Sequence, residues 1–347
     1  MDMREIRIKA GEKLKGVCRV CANCDGRVCA GEVPGMGGIG SGAAFMENVR
    51  AFRAVKLTLR ALHSSPVPDT GTELWGHSLS LPVMTAPLAG AAVNMGGALS
   101  EDELADGLHT GSRAAGTVAW SGDAFAPGIF EAGLAAVRKQ GGCGIVTVKP
   151  HGVEEIIRRV RSAEDAGAIA AAVDVDAAAF RPPAPGLPVG AGSPADLEKI
   201  VRSTKLPIIL KGIMTPDEAV AAAAVGISGI VVSNHGGRAL EACPATAEVL
   251  PAVAAAVRGR MKIFVDGGLR NGADVLKALA MGADAALIGR PLVPPVVGGG
   301  AEGVVLYFKK LASELTAAMI LTGTSAVRTV GPHILHRPAD FPAFRTP

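Results

Sequence analysis

Ile230-Val231-Val232-Ser233-Asn234-His235-Gly236-Gly237-Arg238 reads as a buried strand that runs straight into chemistry. The apolar run suits a parallel strand covered on both faces. Its C-terminal end then carries an imidazole, two glycines and a guanidinium. His235 can move protons near neutral pH. Arg238 can clamp a carboxylate or a phosphate. Gly236 and Gly237 let the backbone turn sharply and approach a ligand closely.

The same pattern recurs on both sides of this segment. Short apolar runs at Leu81–Leu88, Gly116–Ser121, Gly144–Lys149, Ile169–Asp176, Pro207–Gly212, Gly229–Ser233, Lys262–Asp266 and Ala285–Ile288 read as strands. Helical patterns follow them at Glu101–Gly111, Ile129–Gln140, Val153–Ala166, Ala195–Ser203, Pro216–Ala224, Ala245–Val257, Gly272–Met281 and Glu302–Thr322. Ser100 before Glu101-Asp102-Glu103, and Thr215 before Pro216, mark two helix starts. Eight strand-then-helix units imply a parallel sheet, and eight is the count that closes a (β/α)8 barrel. The expected fold is therefore α/β, a TIM barrel. The competing doubly wound sheet would want a glycine fingerprint between the first strand and helix, and none is there. The expected organisation is a cysteine- and glycine-rich segment over 1–45, a barrel over 46–330 and a tail over 331–347.

Composition narrows the function. The chain has 347 residues, 49% of them hydrophobic, so a core is easily filled. Its apolar runs are broken by Gly, Pro or charge well before twenty residues, so no membrane span is expected. The charged start Met1-Asp2-Met3-Arg4-Glu5 lacks an apolar signal region, which points to the cytoplasm. A net charge of +3, 3% aromatics and a single tyrosine, Tyr307, leave little for nucleic-acid binding. A homo-oligomer is expected.

The late strands end in charge. The fifth ends in Lys211-Gly212, the seventh in Asp266-Gly267-Gly268-Leu269-Arg270 and the eighth in Gly289-Arg290-Pro291. In a barrel these ends share the face where active sites sit. Glycine with arginine after the last two strands suits a phosphate. Any one glycine turn could be a tight connection; Lys211, His235, Arg238, Asp266, Arg270 and Arg290 together argue for a site.

Residues 207–291 resemble the C-terminal half of the FMN-dependent 2-hydroxy acid oxidase and dehydrogenase family, which includes glycolate oxidase, lactate oxidase and mandelate dehydrogenase. The resemblance rests on Leu210-Lys211-Gly212, Ser233–Arg238, Pro244-Ala245-Thr246, Asp266–Gly272, Lys277-Ala278-Leu279-Ala280 and Gly289-Arg290-Pro291. Weaker similarity reaches back through Ala86-Pro87, Leu81-Pro82-Val83 and Asp69-Thr70 to about Gly42-Ala43. It implies FMN as cofactor and a small 2-hydroxy acid as substrate. His235 would be the base, Arg238 would hold the substrate carboxylate, and Lys211 would stabilise the reduced flavin. Asp266 would orient His235 or contact the ribityl chain. Gly268, Arg270, Gly289 and Arg290 would bind the phosphate, Ser233 would touch the flavin, and the backbone at Ala86, Pro87, Leu88 and Ala89 would face the ring.

The chain also departs from that family. The tyrosine expected before Ser41-Gly42-Ala43 is absent, and so is the one after the third strand, where Val146-Thr147-Val148-Lys149-Pro150 stands. After the fourth strand the family's second carboxylate-binding arginine has only Arg181 as a loose counterpart, and the following loop is shortened to Pro182–Ser193. The flavin and base machinery look intact, while the substrate half of the pocket is rebuilt. Asp174 and Asp176 would be pocket acids or helix caps. Trp120 would line the pocket or fill the core. Of the histidines other than His235, only His151 stands near a strand end.

Cys18-x2-Cys21-x2-Cys24-x4-Cys29 is foreign to the family. Four thiols this close suit an iron–sulfur cluster, a zinc ion, or reduced redox-active thiols. Cys143 and Cys243 read as small core residues. Gly35-Met36-Gly37-Gly38-Ile39-Gly40 has a G-x-G-x-x-G spacing, but follows no strand, so a pocket wall or lid is expected. The leading reading is an FMN-dependent oxidoreductase with the electron acceptor open. The alternatives are a flavin-dependent non-redox isomerase and a cluster-bearing sensor on the same barrel. Retained His235 and Lys211 argue against the sensor.

Overall fold

The computed structural model describes residues 1–180 and 193–336. Arg181, most of the shortened loop after it and the tail from residue 337 lie outside the described residues. Four elements precede the barrel: helices α1 (Met3–Lys13) and α2 (Ala43–Ala54), and an antiparallel hairpin of β1 (Thr72–Leu74) and β2 (His77–Leu79). None of the four was expected. A capping box does mark α1, where the Asp2 carboxylate accepts from the Glu5 backbone at 2.8 Å.

The eight expected strands all form: β3 (Val83–Thr85), β4 (Trp120–Ser121), β5 (Ile145–Val148), β6 (Ala170–Asp174), β7 (Ile208–Ile213), β8 (Gly229–Val232), β9 (Lys262–Val265) and β10 (Ala285–Ile288). They pair in parallel in the order β3-β10-β9-β8-β7-β6-β5-β4. The seam between β3 and β4 is held by a Leu88–Ser121 bridge, and Thr117 Oγ1 donates to Val83 O at 2.5 Å. After a short α3 (Ala91–Asn94), the outer ring is α4 (Glu101–Ala114), α5 (Ile129–Lys139), α6 (Val153–Asp165), α7 (Pro194–Arg202), α8 (Pro216–Ala224), α9 (Thr246–Val257), α10 (Gly272–Ala280) and α11 (Val293–Thr322). This is the expected TIM barrel.

Alternate strand residues fill the interior. Met84, Trp120, Ile145, Ile209, Val231 and Phe264 are all fully buried there. Each large apolar side chain so buried contributes ~1.5–3 kcal/mol. Trp120 belongs to this core: its ring meets Phe264 edge-on at 5.4 Å, and it does not reach the pocket. The β1–β2 hairpin closes the bottom by setting Trp75 against Phe264, ring centroids 6.1 Å apart.

The last helix begins nine residues earlier than its periodicity predicts, at Val293 rather than Glu302, with a break at Gly300. Glycine allows the neighbours to come in. A Cβ at Gly298 would stand 2.1 Å from the Ile6 carbonyl of α1. That contact docks the N-terminal helix against the barrel. α2 lies over the C-terminal ends of the strands and brings Phe45 and Asn48 to the mouth.

Candidate active site

The loops after β8, β9 and β10 build a cradle of positive charge around one cavity of about 470 Å³. Arg238 donates to the Gly35 carbonyl at 2.5 Å and to Asn94 Oδ1 at 2.8 Å. Arg270 donates to the carbonyls of Cys24 at 2.6 Å and Leu269 at 2.7 Å. Arg290 donates to those of Gly236 at 2.8 Å and Gly37 at 2.9 Å, with its guanidinium 3.9 Å from the Phe45 ring centre. Every one of these acceptors is neutral. Among the described residues no carboxylate pairs with any of the three side chains. Burial, and next the charge of Arg238, bring the Arg290 guanidinium down to about 10. Three like charges held by neutral dipoles suit an anion.

Glycine shapes the cradle floor. Gly267 and Gly268 adopt φ of +81° and +92°, and a Cβ on Gly268 would stand 2.1 Å from the Asn48 carbonyl of α2. Only glycine lets this turn fit under α2. The glycine-rich segment before α2 forms the opposite wall. Ile39 N–H donates to Gly237 O at 2.9 Å, so the segment is pinned to the β8 loop. No strand precedes it, so it makes no dinucleotide fingerprint.

Deeper in, a buried charge cluster joins β5, β6, β7 and β8. Asp174, the last residue of β6, accepts from Lys149 at 2.5 Å and from Lys211 at 2.9 Å. Burial opposes its ionisation, but the ammonium groups of Lys149 and Lys211 outweigh burial and hold it well below the usual carboxylate range. His235 Nδ1 lies 2.9 Å from Asp176 Oδ1 and 3.5 Å from Asp174 Oδ1. Burial pushes His235 well below the ordinary imidazole value. The ring therefore rests neutral, and the lysines are the standing charges beside Asp174. Burial pushes Asp176 well above the carboxylate range, and its Oδ2 is buried without a hydrogen-bond partner. Its Oδ1 can then accept from His235 Nδ1–H, leaving Nε2 with a free lone pair. Asp266 is also raised by burial, lies 3.9 Å from Lys211 and leaves Oδ1 without a partner.

Asp174, Asp176 and His235 have ligand-type atoms within 4.8 Å of one another. Two ammonium groups already neutralise Asp174, which disfavours a cation there.

Lys211, His235, Arg238, Asp266, Gly268, Arg270, Gly289 and Arg290 all line the one cavity, with Ala86, Pro87, Leu88 and Ala89 on its far wall. Ser233 lies behind that lining, fully buried, accepting from the His235 N–H at 3.1 Å. Asp266 does not face His235 Nδ1; Asp176 does. Asp174 and Asp176 belong to the charge cluster. Lys149 and Phe180 were missed. Lys149 sits one residue beyond β5, where the strand-end rule that found Lys211 would have found it. Phe180 gave no signal; its ring meets His235 edge-on at 4.7 Å, and Lys149 Nζ lies 5.3 Å from its centre.

The four clustered cysteines are free and half-buried, in a turn-rich stretch beside the cavity. Burial raises the Cys18 and Cys29 thiols, and Cys24 raises both further, so the thiols feel one another. Yet no three of the sulfurs come within 4.8 Å of one another. Cys143 packs against the barrel interior, while Cys243 sits half-exposed in the loop before α9.

A (β/α)8 barrel with an anion cradle beside a neutral histidine and a buried lysine on its late-strand face defines the class of flavin-dependent oxidoreductases. Within it, this chain belongs to the FMN-dependent dehydrogenase family, whose model matches residues 35–183 and 189–337. The L-lactate oxidase of Nostoc sp. is 32% identical over 345 residues, covering 86% of this chain and 91% of the relative. The 2-hydroxyacid oxidase of Dictyostelium discoideum is 49% identical over 140 residues, 40% of this chain; that shared stretch spans only 36% of the relative's own length. The crystal structure of mandelate oxidase with (S)-2-phenylpropionate superposes with a TM-score of 0.76 at 28% identity, covering 96% of this chain and 97% of that one.

Proposed function

We propose that this protein oxidises a small 2-hydroxy acid to the 2-oxo acid with FMN bound in the late-strand cavity. The observation that carries the reading is the cradle of Arg238, Arg270 and Arg290, three buried or half-buried cations without a carboxylate partner, opening beside a neutral His235. The residues fit the cofactor. Arg270 and Arg290, with Gly268 and Gly289, suit the phosphate. Lys211 and the unpaired Oδ1 of Asp266 suit the polar part of the flavin. When bound, FMN supplies the two-electron acceptor.

The chain's own residues supply the rest. Nε2 of His235 takes a proton from the substrate, and the hydrogen bond from Nδ1 to Asp176 fixes the tautomer that allows it. Arg238 holds the substrate carboxylate. Lys149 adds a second cation on the side where the family's tyrosine is missing. Lys211 places a fixed charge where negative charge develops on the cofactor, an effect that is large in a dry site. Phe180 covers the imidazole and helps exclude water.

Four half-buried free thiols fit a reducing, cytoplasmic setting. In this reading Cys18, Cys21, Cys24 and Cys29 hold one metal centre. Among the described residues no helix is long and apolar enough to cross a membrane.

The test is anaerobic. Purified protein is reconstituted with FMN and mixed with a panel of short 2-hydroxy acids. Bleaching of the flavin by at least one of them supports the reading. A flavin that no 2-hydroxy acid reduces would remove it, and would favour the non-redox use of the barrel.

A further inference from the structure

We infer that the 2-hydroxy acid taken by this site carries an uncharged, apolar side chain larger than a methyl group, and that Phe125, Ile129 and Phe180 select it. The inference rests on the proposed oxidation in the FMN cavity and narrows it to one substrate class. Barrel order separates two halves of the cavity. Arg270 and Arg290 follow β9 and β10. Lys149 and Phe180 follow β5 and β6, on the opposite side of the strand ring. Phe125 and Ile129 come from the connection between β4 and α5, beside them.

That second half is apolar and open. Phe125, Ala126, Ile129 and Phe180 all line the cavity. Phe180 stays 37% exposed although its ring lies against His235. A phenyl ring beside the base, still open to the cavity, offers apolar surface that a substrate side chain can cover.

Charge on the same side is already engaged. Asp123 accepts from Arg159 and from the backbone N–H groups of Ala124 and Lys149, each at 2.8 Å. Lys149 and Lys211 share the Asp174 carboxylate. Arg238 is left for the α-carboxylate, and Arg270 and Arg290 for the phosphate. Among the described residues that line the cavity, no cation then remains for a second carboxylate on the substrate. The Asp123 bonds also fix the wall, because they tie the Ala124-Phe125-Ala126 turn to the end of β5. Phe125 meets the His151 ring edge-on at 5.2 Å. A wall held this way needs little ordering when a side chain arrives.

The experiment compares acids on the FMN-loaded protein by anaerobic stopped-flow. 2-Hydroxy-4-methylpentanoate and 3-phenyllactate are set against lactate, glycolate and malate. A methylene taken out of water is worth about fourfold. 2-Hydroxy-4-methylpentanoate has three more carbons than lactate, so its second-order rate constant for flavin reduction should be higher by roughly 50-fold. Phe125→Ala should cut that preference to about tenfold or less with flavin content retained, and Ile129→Ala should cut it in the same direction. Binding is read separately, by titrating the oxidised protein with 4-methyl-2-oxopentanoate and with pyruvate and following flavin absorbance. The first should show the lower Kd. Equal Kd values, or lactate, glycolate or malate reducing the flavin as fast as the apolar acids, would overturn the inference and leave the oxidation standing. A preference that neither variant changes would remove Phe125 and Ile129 from the wall. Tight binding of 4-methyl-2-oxopentanoate with no reduction by any acid would keep the apolar wall and remove the oxidation.

Discussion

Nδ1 of His235 sits 2.9 Å from Oδ1 of Asp176, a residue two positions past the end of the carboxylate that binds both lysines. The two acids of Asp174-Val175-Asp176 thus divide the work. Asp174 stays charged because Lys149 and Lys211 are there to balance it. Asp176 keeps its proton because burial disfavours a second charge beside the first. The bulge in β7 between Lys211 and Ile213 makes the room, since a Cβ on Gly212 would stand 2.5 Å from the Asp176 side chain.

That division predicts an uneven pair of variants. Asp176→Asn keeps a neutral acceptor for Nδ1–H and should slow flavin reduction less than about tenfold. Asp176→Ala leaves a buried N–H unpaired, which costs about 1–3 kcal/mol, and should slow it by roughly ten- to a hundredfold. Stopped-flow reduction by substrate measures both. Equal, severe losses would show that Asp176 works as an anion.

His235→Ala should retain FMN but lose substrate-driven reduction by a factor on the order of 10² or more. Burial holds the imidazole below its usual range. The free base therefore persists to lower pH than in a solvent-exposed histidine. In wild type, the acid limb of kcat/KM should lie below about pH 6.5, the ordinary histidine value. A limb above that value would contradict a desolvated His235.

Arg290→Ala should release FMN on dilution or gel filtration, with Kd raised by at least about tenfold, the scale of one charge-assisted contact of ~1.5–3 kcal/mol. Fluorescence of the released flavin reads this directly. Unchanged retention would move the phosphate elsewhere in the cradle.

His109 gives a stability prediction away from the site. Its ring is buried in α4, with neither nitrogen hydrogen-bonded, and burial lowers it to about 4. The unfolded chain titrates near ~6.5. Between those values the unfolded state binds more protons, so stability is full above pH 6.5 and falls as pH drops toward 4. The full loss is on the order of 3 kcal/mol. His109→Leu should remove that part of the acid sensitivity, seen as a smaller drop in Tm between pH 7 and about 4.5. An identical pH dependence in both proteins would show that His109 does not carry it.

The barrel was legible because buried parallel strands are short apolar runs with turn residues after them, and all eight here are written that way. The cation cradle was legible for the same reason: Arg238, Arg270 and Arg290 lie six, five and two residues past the ends of three strands. What escaped lies outside that grammar. α2 follows the glycine-rich segment without a polar cap, since Gly42 offers no side chain, so nothing flagged its start. The hairpin is three residues a side, too short for alternation to register. The resemblance offered Asp266 to orient the imidazole, and Asp176, read only as a pocket acid or helix cap, meets Nδ1 instead. The missing pocket tyrosines were visible as gaps; Lys149, which lines the cavity just past β5, escaped because the strand-end rule was applied to the later strands alone.

Gly35 and Gly37 are anchored by the very guanidiniums that face the cavity, Arg238 and Arg290. An N-terminal deletion designed merely to strip the cysteines and glycines would therefore strip two arginines of their carbonyl tethers. Two of the three cradle cations are thus aimed by carbonyls from a segment some two hundred residues or more away in the chain, so the cation geometry at the late-strand face is set in part from outside the barrel.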